Sequence, residues 1–318
     1  MHRDMEKQYT PDKWPAVLNK LKKDRCLIGI SGGFDSALLL DYAIEWGLNP
    51  LVIHFDNWHN SGIANRNIER LVQKTGVDFI RYHVDKNQYD KLNKSFLMYG
   101  LPDADIPNDM VMTALMYKAA RQHGIKYILN GHNFRTEGST PVNWTYMDAK
   151  YIKSVYRAAT GQNLTLPVFT FPEQIVYSLL GIKQVRPFYY HDFDFEKEKA
   201  RLIAKYDLED YGAKHGENHY TNFVGSWYLP EIHNIDKRRV YLSAQIRNGD
   251  ISREDAITKL VDQYLPKEVI DLIGKFQPAF NFPRSKFDRY NFRRYRPLIW
   301  MMVKIGALPV TFYKKYCK

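Results

Sequence analysis

The chain has 318 residues, of which 45% are apolar and 14% aromatic, so it is long enough to bury a full hydrophobic core. Its 46 Lys and Arg outnumber its 35 Asp and Glu, and the resulting charge of +11 favours polyanions such as nucleotides, nucleic acid or an anionic membrane face. The two cysteines exclude a disulfide framework and a zinc ribbon, and they predict a reducing compartment.

The first 23 residues are charged and lack the apolar core of a signal peptide. No apolar stretch reaches the length that a membrane-spanning helix needs. We therefore expect a cytoplasmic protein.

Residues 25–130 alternate between strand-like and helix-like segments. Apolar runs predict buried strands, and apolar positions at helical spacing predict helices between them. The predicted strands are 26–30, 50–55, 79–84 and 126–130, and the predicted helices begin at Asp35 (with Ala37, Leu38, Leu40, Ala43 and Ile44 inward) or span 63–75 and 107–123. Repeated strand–helix–strand units predict an α/β fold with a parallel sheet and right-handed crossovers. Ligands of such sheets bind beyond the carboxyl ends of the strands.

A glycine-rich turn, Ser31 to Ser36, connects the first strand to the first helix of this region. Such a turn exposes backbone N–H groups at the positive end of a helix, which makes it an anion site. It lacks the Lys-Ser/Thr pair of a Walker A loop and the Gly-x-Gly-x-x-Gly pattern of a dinucleotide fold. The alternative is a turn that only connects the two elements.

Ser31-Gly32-Gly33-x-Asp35-Ser36 resembles, at every fixed position, the SGGxDS loop of the N-type ATP pyrophosphatases, the PP-loop superfamily. The resemblance implies an adenine nucleotide alpha hydrolase-like domain that cleaves ATP between the α and β phosphates. The products would be a substrate adenylate and pyrophosphate. It also implies that Ile30, Ser31, Gly32, Gly33, Asp35 and Ser36 bind ATP and that Asp35 is a catalytic residue and a ligand of Mg²⁺.

Polar loops follow the second and fourth predicted strands. In the superfamily, the first of these loops lies beside the adenosine, and the second carries an acidic motif near the phosphates and magnesium. The resemblance therefore implies that Asp56 and Gly131 contact ATP and that Glu137 is a second catalytic residue and Mg²⁺ ligand. Members that modify tRNA carry paired aspartates where this chain has Arg135 and Thr136, and a solvated loop residue is the alternative for Glu137.

The segment 211–223 combines histidines, asparagines and aromatic residues. His215, Glu217 and His219 could be read as metal ligands, but the H-E-x-x-H pattern is absent, which favours polar side chains lining a wet groove.

This segment and the PP-loop are similar to those of the N-acetyl sugar amidotransferases, which act in lipopolysaccharide and surface-glycan biosynthesis. The matching positions are Lys214, His215, Glu217, Tyr228, Leu229, Pro230, Asp236, Lys237 and Arg238. The resemblance implies a sugar site formed by Lys214, His215, Glu217, Asn218, His219, Lys237 and Arg238. Many relatives carry N-terminal Cys-x-x-Cys pairs, which this chain lacks, so a role for zinc does not transfer.

The alternation of strands and helices fades after Pro141, and helices are predicted at 151–159, at 195–206 and after Ser252. We expect a PP-loop ATP pyrophosphatase domain at 1–150 and a mostly helical substrate-binding extension, packed on it, at 151–318. The tail from Arg284 interleaves cations with aromatic residues, which suits an anionic membrane surface at the inner face of the membrane, or RNA. The alternative is a final helix that packs Leu298, Trp300, Met301 and Ile305 on the domain.

The sequence thus predicts an enzyme that adenylates the acetamido group of an N-acetylated, nucleotide-linked sugar and replaces its oxygen with nitrogen from ammonia. His2, Cys26 in a predicted buried strand and Cys317 in the tail offer no glutaminase nucleophile, so we expect a separate glutaminase subunit to supply the ammonia. The rivals are a lysidine-type tRNA-modifying enzyme, for which nucleic acid would be the partner, and a non-catalytic nucleotide-binding scaffold.

Overall fold

The structure is a computed structural model that describes residues 9–138, 140–141, 144–212, 215–261, 265–304, 308 and 310–317. Its strands form a five-stranded sheet in the order β3-β2-β1-β4-β5. The strands are β1 (Cys26–Gly29), β2 (Pro50–Asp56), β3 (Asp78–His83), β4 (Tyr127–Leu129) and β5 (Lys183–Val185). β1 pairs in parallel with β2 and β4, and β2 pairs in parallel with β3.

Helices connect and extend these strands. In chain order they are α1 (Trp14–Leu21), α2 (Phe34–Glu45), α3 (Gly62–Thr75), α4 (Lys86–Met98), α5 (Ile106–Gln122), α6 (Phe134–Glu137), α7 (Ala149–Thr160), α8 (Phe171–Leu179), α9 (Phe195–Tyr206), α10 (His219–Phe223), α11 (Leu229–His233), α12 (Arg238–Asn248), α13 (Arg253–Val261), α14 (Lys267–Phe276), α15 (Arg296–Lys304) and α16 (Val310–Tyr316). A π-helical turn, Val224–Tyr228, joins α10 to α11. The predicted α/β fold class, a parallel sheet with a mostly helical C-terminal region, is confirmed.

Backbone contacts group the chain into two compact units. The first contains Met1–Val84, Tyr127–Thr140 and Gln184–Pro278, and the second contains Asp85–Lys126, Pro141–Lys183 and Ala279–Lys318. Contacts therefore interleave the two halves of the chain, and the division predicted near residue 150 stays a prediction of domain organisation.

The core of the first unit forms around β1, where Cys26, Leu27 and Ile28 are completely buried. α2 covers this strand with four of its five predicted inward residues: Ala37, Leu38, Leu40 and Ala43. The prediction for Ile44 is wrong, since this residue is 36% exposed in the last turn of the helix. No helix among the described residues has the length and apolar character that crossing a bilayer requires.

Candidate functional site

The turn between β1 and α2, residues 30–36, is shaped by hydrogen bonds among its own serines and glycines; we call it the glycine turn. The Ser31 N–H donates to Ser36 Oγ at 3.2 Å, and the Ser36 hydroxyl donates to the Gly33 carbonyl at 2.9 Å. The Gly33 N–H in turn donates to Ser31 Oγ at 3.2 Å. Both predicted ATP-binding serines therefore fix the shape of the turn at the start of α2.

Two glycines let neighbouring backbone segments approach the glycine turn. Gly32 has a φ of +86°, and a Cβ atom there would lie 2.4 Å from the Ala64 carbonyl oxygen. Gly131, in the loop after β4, lies so near that a Cβ atom would stand 3.3 Å from the Asp35 carbonyl oxygen. The loop after β4 therefore meets the first turn of α2.

The strand order places the glycine turn where open α/β folds bind ligands. The chain moves outward from β1 to β2 and β3 on one side, and β4 lies on the other side of β1. The strand order therefore reverses its direction between β1 and β4, and the loops that leave these two strands lie at this switch point of the sheet. The N-terminus of α2 adds a partial positive charge that favours phosphate.

A second acidic residue, Glu217, lies against the glycine turn. A Cβ atom on Gly33 would stand only 3.3 Å from Glu217 Oε1. The Tyr211 hydroxyl accepts a hydrogen bond from the Phe34 N–H at 3.0 Å. Burial raises the pKa of Tyr211, and the charges of Glu217 and Asp35 raise it further. The carboxylates of Asp35 and Glu217 therefore both act on one phenol at the start of α2.

Backbone pairing brings Glu217 to this place from far along the chain. Asn60, in the loop after β2, forms an isolated antiparallel bridge with Asn218. The Ser61 N–H donates to the Glu217 carbonyl at 2.8 Å, and the His219 N–H donates to the His59 carbonyl at 2.7 Å. The segment 217–219 is thus held along the loop that follows β2.

The Asn218 side chain reinforces this pairing. Its Nδ2 donates to Asn57 Oδ1 at 3.0 Å and to Asn60 Oδ1 at 3.2 Å. Its Oδ1 accepts from the Thr221 N–H at 3.1 Å and caps α10. Asn218 was predicted to bind the sugar, and the structure places its amide in the connection between α10 and the loop after β2. The neighbouring His219 is half-buried, and burial lowers its pKa.

His54, which the sequence analysis did not single out, connects the same loop to the glycine turn. Its Nδ1 lies 2.8 Å from the Ile30 carbonyl oxygen, and its Nε2 lies 3.1 Å from Asn60 Nδ2. Burial lowers the pKa of His54, which favours a neutral ring that donates from Nδ1 and accepts at Nε2. A histidine inside an apolar strand is ordinarily interpreted as a core residue, and no pattern in the neighbouring sequence indicates that it contacts Ile30 and Asn60.

Asp56 ends β2 with a buried carboxylate. Its Oδ1 accepts from the Trp58 N–H at 3.0 Å, and its Oδ2 lies 3.4 Å from His83 Nδ1 and 3.8 Å from Arg81 Nη1. Trp58 has a φ of +68° and is 47% exposed, so an aromatic ring stands at the surface at the end of this strand. Asp56 fixes the turn that presents this ring.

Glu137 lies in the loop region after β4, in the short helix α6. Its Oε2 is 3.4 Å from His132 Nε2, and the Tyr189 hydroxyl is 3.3 Å from His132 Nδ1. The structure brings Gly131 to Asp35, whereas the Glu137 carboxylate contacts His132. Glu217 is the acid that contacts the glycine turn, and its position in the sequence gives no local signal of this.

The remaining predicted sugar-site residues are distributed over two places. Lys214 lies outside the described residues. His215 has a φ of +65°, and its Nδ1 is 3.8 Å from Glu217 Oε1. Lys237 directly precedes α12 and its side chain makes no capping hydrogen bond, and the Arg238 guanidinium pairs with the Asp236 carboxylate at 2.8 Å.

The described residues contain no group of three or more His, Cys, Asp or Glu side chains arranged to hold a metal ion. The zinc reading of His215, Glu217 and His219 thus finds no support among them. Mg²⁺ differs, because it takes one or two carboxylates together with substrate phosphates and water. Asp35 and Glu217 provide the hard oxygen donors that this ion prefers.

Comparison with known proteins finds a family match for the segment that contains Glu217. Residues 217–313 match the family model described as LPS biosynthesis protein WbpG-like, C-terminal domain. A tRNA-specific 2-thiouridylase from Shouchella clausii is 27% identical over 128 residues, which are 36% of this chain and 35% of that protein. The same enzyme from Enterococcus faecalis is 25% identical over 128 residues, 36% of this chain and 34% of that protein. The chain thus spans about a third of the length of these curated relatives.

Among solved structures, NMN synthetase from Francisella tularensis is similar with a TM-score of 0.42 and 12% identity. The alignment covers 87% of this chain and 99% of that one.

Proposed function

We propose that this chain is an ATP-dependent N-acetyl sugar amidotransferase of the PP-loop superfamily. Its residues 217–313 match the model of the WbpG-like C-terminal domain of lipopolysaccharide biosynthesis. The use of ATP, the reaction and the sugar are all parts of this proposal. The enzyme would adenylate the acetamido group of a nucleotide-linked sugar and release pyrophosphate. Ammonia would then give an acetamidino sugar for a surface polysaccharide.

One observation carries this proposal. The family segment begins at Glu217, and this residue lies against Gly33 of the glycine turn while its carbonyl accepts from the Ser61 N–H. The segment that matches the family model therefore contributes to the proposed ATP site. This supports an enzyme that couples ATP cleavage to a reaction of the family's own substrate.

The chemistry assigns a step to each part of the site. The acetamido oxygen attacks the α-phosphorus of ATP, and pyrophosphate leaves into the glycine turn, where α2 stabilises its negative charge. Asp35 with Glu217, or Asp35 with Glu137, would hold Mg²⁺, which would supply positive charge to the leaving group. Ammonia then attacks the activated carbon and loses a proton, and AMP departs with the former acetamido oxygen.

Sugar recognition would come from the region around the 217–219 segment. His215 and His219 are only partly buried there, and Lys237 and Arg238 at the start of α12 supply cations for a phosphate or carboxylate. The exposed Trp58 ring at the end of β2 and the fixed Asp56 would border the adenosine. Lys214 completes the proposed set from its position in the sequence.

The curated relatives favour one second candidate, sulfur insertion into tRNA. Such chemistry needs a thiolate as sulfur carrier. The chain has two cysteines, and both are buried, Cys26 completely and Cys317 to 2% exposure. Burial raises the pKa of Cys26 to about 12 and also raises the pKa of Cys317. These two thiols argue against the tRNA thiolation alternative.

The proposal is tested by a pyrophosphate-release screen with ATP, Mg²⁺ and ammonium across nucleotide-linked N-acetyl sugars. We expect release only with a sugar present, and we expect Asp35→Asn to lower it by at least 100-fold, on the order of one lost charge-stabilising contact at the transition state. Asp24→Asn, at an exposed acid of the same unit, is the matched control and should match the parent chain. Sugar-independent release, or full activity in a folded Asp35→Asn protein, would refute the proposal.

A further inference from the structure

The C-terminal stretch of the second unit carries an unusual charge pattern. From Arg289 to Lys318 the sequence contains eight Lys or Arg and no Asp or Glu: Arg289, Arg293, Arg294, Arg296, Lys304, Lys314, Lys315 and Lys318. Among these, Arg293, Arg294, Arg296 and Lys304 are exposed on α15 and the 3₁₀ turn before it, Phe292–Tyr295. The local surface is therefore strongly positive.

One side of α15 is anchored in a small core. Ile299 is completely buried and Met302 is 4% exposed. They belong to a cluster with Phe292, Leu308 and Cys317, against which Phe171 of α8 also packs. The helix is thus held in a fixed orientation by its inner side.

The outer side of the same helix is also apolar. Leu298 is 36% exposed, Trp300 43% and Met301 53%, and Tyr295 just before the helix is 44% exposed. The packing alternative from the sequence is therefore wrong for Leu298, Trp300 and Met301, because Ile299 and Met302 occupy the inner side; Ile305 lies outside the described residues. Single exposed apolar residues are ordinary, but several on consecutive turns indicate an interaction site.

We propose that this surface, the C-terminal face formed by Tyr295, Leu298, Trp300, Met301 and the four exposed cations, docks on an anionic lipid bilayer. An interfacial helix lies in the membrane plane with apolar side chains at the headgroup boundary and cations among the lipid phosphates. The Lys304 ammonium lies 6.0 Å from the centre of the Trp300 ring, so a cation lies beside an aromatic side chain of the kind found at membrane interfaces. Charge complementarity thus selects an acidic membrane over a neutral one.

The exposed apolar residues of the C-terminal face favour a bilayer over RNA as its partner. Cations and aromatic rings serve both partners, through phosphate contacts and stacking on bases. Leu298 and Met301 lie three residues apart on one side of the helix and gain nothing from a phosphate backbone. They gain free energy by leaving water for the acyl boundary.

The test is co-sedimentation of the full chain with vesicles of phosphatidylethanolamine containing phosphatidylglycerol, compared with vesicles of phosphatidylcholine. Binding to the acidic vesicles should exceed binding to the neutral ones by at least tenfold, and it should weaken with salt. The charge variant Arg293→Gln/Arg294→Gln/Lys304→Gln should lose more than tenfold in affinity, since each cation contributes roughly fivefold at such a surface. The apolar variant Leu298→Gln/Met301→Gln should lose a similar amount and should no longer bind at 0.5 M salt, about where surface charges are screened.

The matched control is Arg253→Gln/Ile257→Gln/Lys259→Gln, which removes exposed cations and an exposed apolar residue from α13 in the other unit. It should bind acidic vesicles like the parent chain. Equal binding to both vesicle types, or a loss in the control as large as in the charge variant, would overturn the proposal. Two further results would overturn it. One is that the parent chain binds an RNA oligonucleotide but no vesicles, and that the charge variant loses the RNA binding. The other is a dimer in solution that the apolar variant no longer forms.

Discussion

Gly32 is the residue at which the geometry of the glycine turn is most restrictive. Its φ of +86° would cost a residue with a Cβ atom about 1–2 kcal/mol, and the Cβ would collide with the Ala64 carbonyl oxygen at 2.4 Å. We expect Gly32→Ala to abolish sugar-dependent pyrophosphate release and to lower the free energy of unfolding by more than this strain alone. Thermal unfolding and the release assay measure the two effects.

Gly76 is the matched control for Gly32. It has a φ of +62° at the end of α3, but a Cβ atom there would meet nothing within 4 Å. Gly76→Ala should therefore cost about 1 kcal/mol of stability and leave pyrophosphate release unchanged. If the two variants behave alike, the close approach of Ala64 is not important for the turn.

The sequence predicted the glycine turn because the hydrogen bonds among its own serines and glycines all lie within six positions, Ser31 to Ser36. The Ser31–Ser36 contacts and the start of α2 are local consequences of that order. Glu217 and His54 could not be predicted in this way. Glu217 reaches Gly33 through pairing with a loop more than 150 positions away in sequence, and His54 bonds Ile30 across two neighbouring strands.

At the scale of elements, α7 of the second unit binds a buried carboxyl group. Tyr151, in the first turn of α7, donates from its hydroxyl to Asp103 Oδ1 at 3.1 Å. Burial raises the pKa of Asp103 from 3.8 to about 6, although the Tyr151 hydroxyl and the nearby Arg289 oppose this shift. Between pH 3.8 and about 6, Asp103 is thus protonated in the folded chain and ionised in the unfolded chain.

This difference predicts a pH dependence of stability. Because the pKa of Asp103 is raised in the folded chain, its contribution to the free energy of unfolding is fully present below pH 3.8. This contribution is lost as the pH rises to about 6. Asn cannot ionise, so Asp103→Asn should gain about 2 kcal/mol of unfolding free energy relative to the parent between pH 4 and pH 7. Denaturant unfolding at both pH values measures this gain.

The control for Asp103 is Asp288→Asn, at an exposed acid of the same unit. Its stability difference from the parent is the reference with which the Asp103→Asn difference is compared. A stability difference for Asp103→Asn that stays constant between pH 4 and pH 7 would contradict a raised pKa of Asp103 in the folded chain.

Helices and strands were predictable from the sequence where their hydrophobic pattern was strong. The four predicted strands follow apolar runs and are all present, whereas β5 (Lys183-Gln184-Val185) is short and mostly exposed and gave no signal. The helix 195–206 agrees with its apolar spacing, but α15 could not be oriented because Leu298, Ile299, Trp300, Met301 and Met302 are all apolar. Periodicity does not decide which side of such a helix faces the core.

At the scale of the whole molecule, the buried thiols bear on the source of nitrogen. A glutaminase of the cysteine type needs an accessible thiolate, and neither Cys26 nor Cys317 provides one. We propose that a separate glutaminase supplies ammonia. The purified chain should form the amidine from ammonium and not from glutamine, and Cys26→Ala/Cys317→Ala should retain at least half of the ammonium-dependent rate.

Glutamine use by the purified double variant would contradict this. It would indicate a nitrogen-releasing centre that does not use cysteine. Glutamine use that appears only after addition of a glutaminase partner would support the proposal.

The most direct test of the central claim follows the acetamido oxygen. The sugar that turns over in the pyrophosphate screen is prepared with ¹⁸O in its acetamido group and incubated with the full chain, ATP, Mg²⁺ and ammonium. If this oxygen attacks the α-phosphorus, the ¹⁸O appears in the phosphate of AMP, one label for each acetamidino sugar formed, and mass spectrometry of AMP detects it. Unlabelled AMP, or ADP and phosphate as products, would contradict adenylation of the acetamido group.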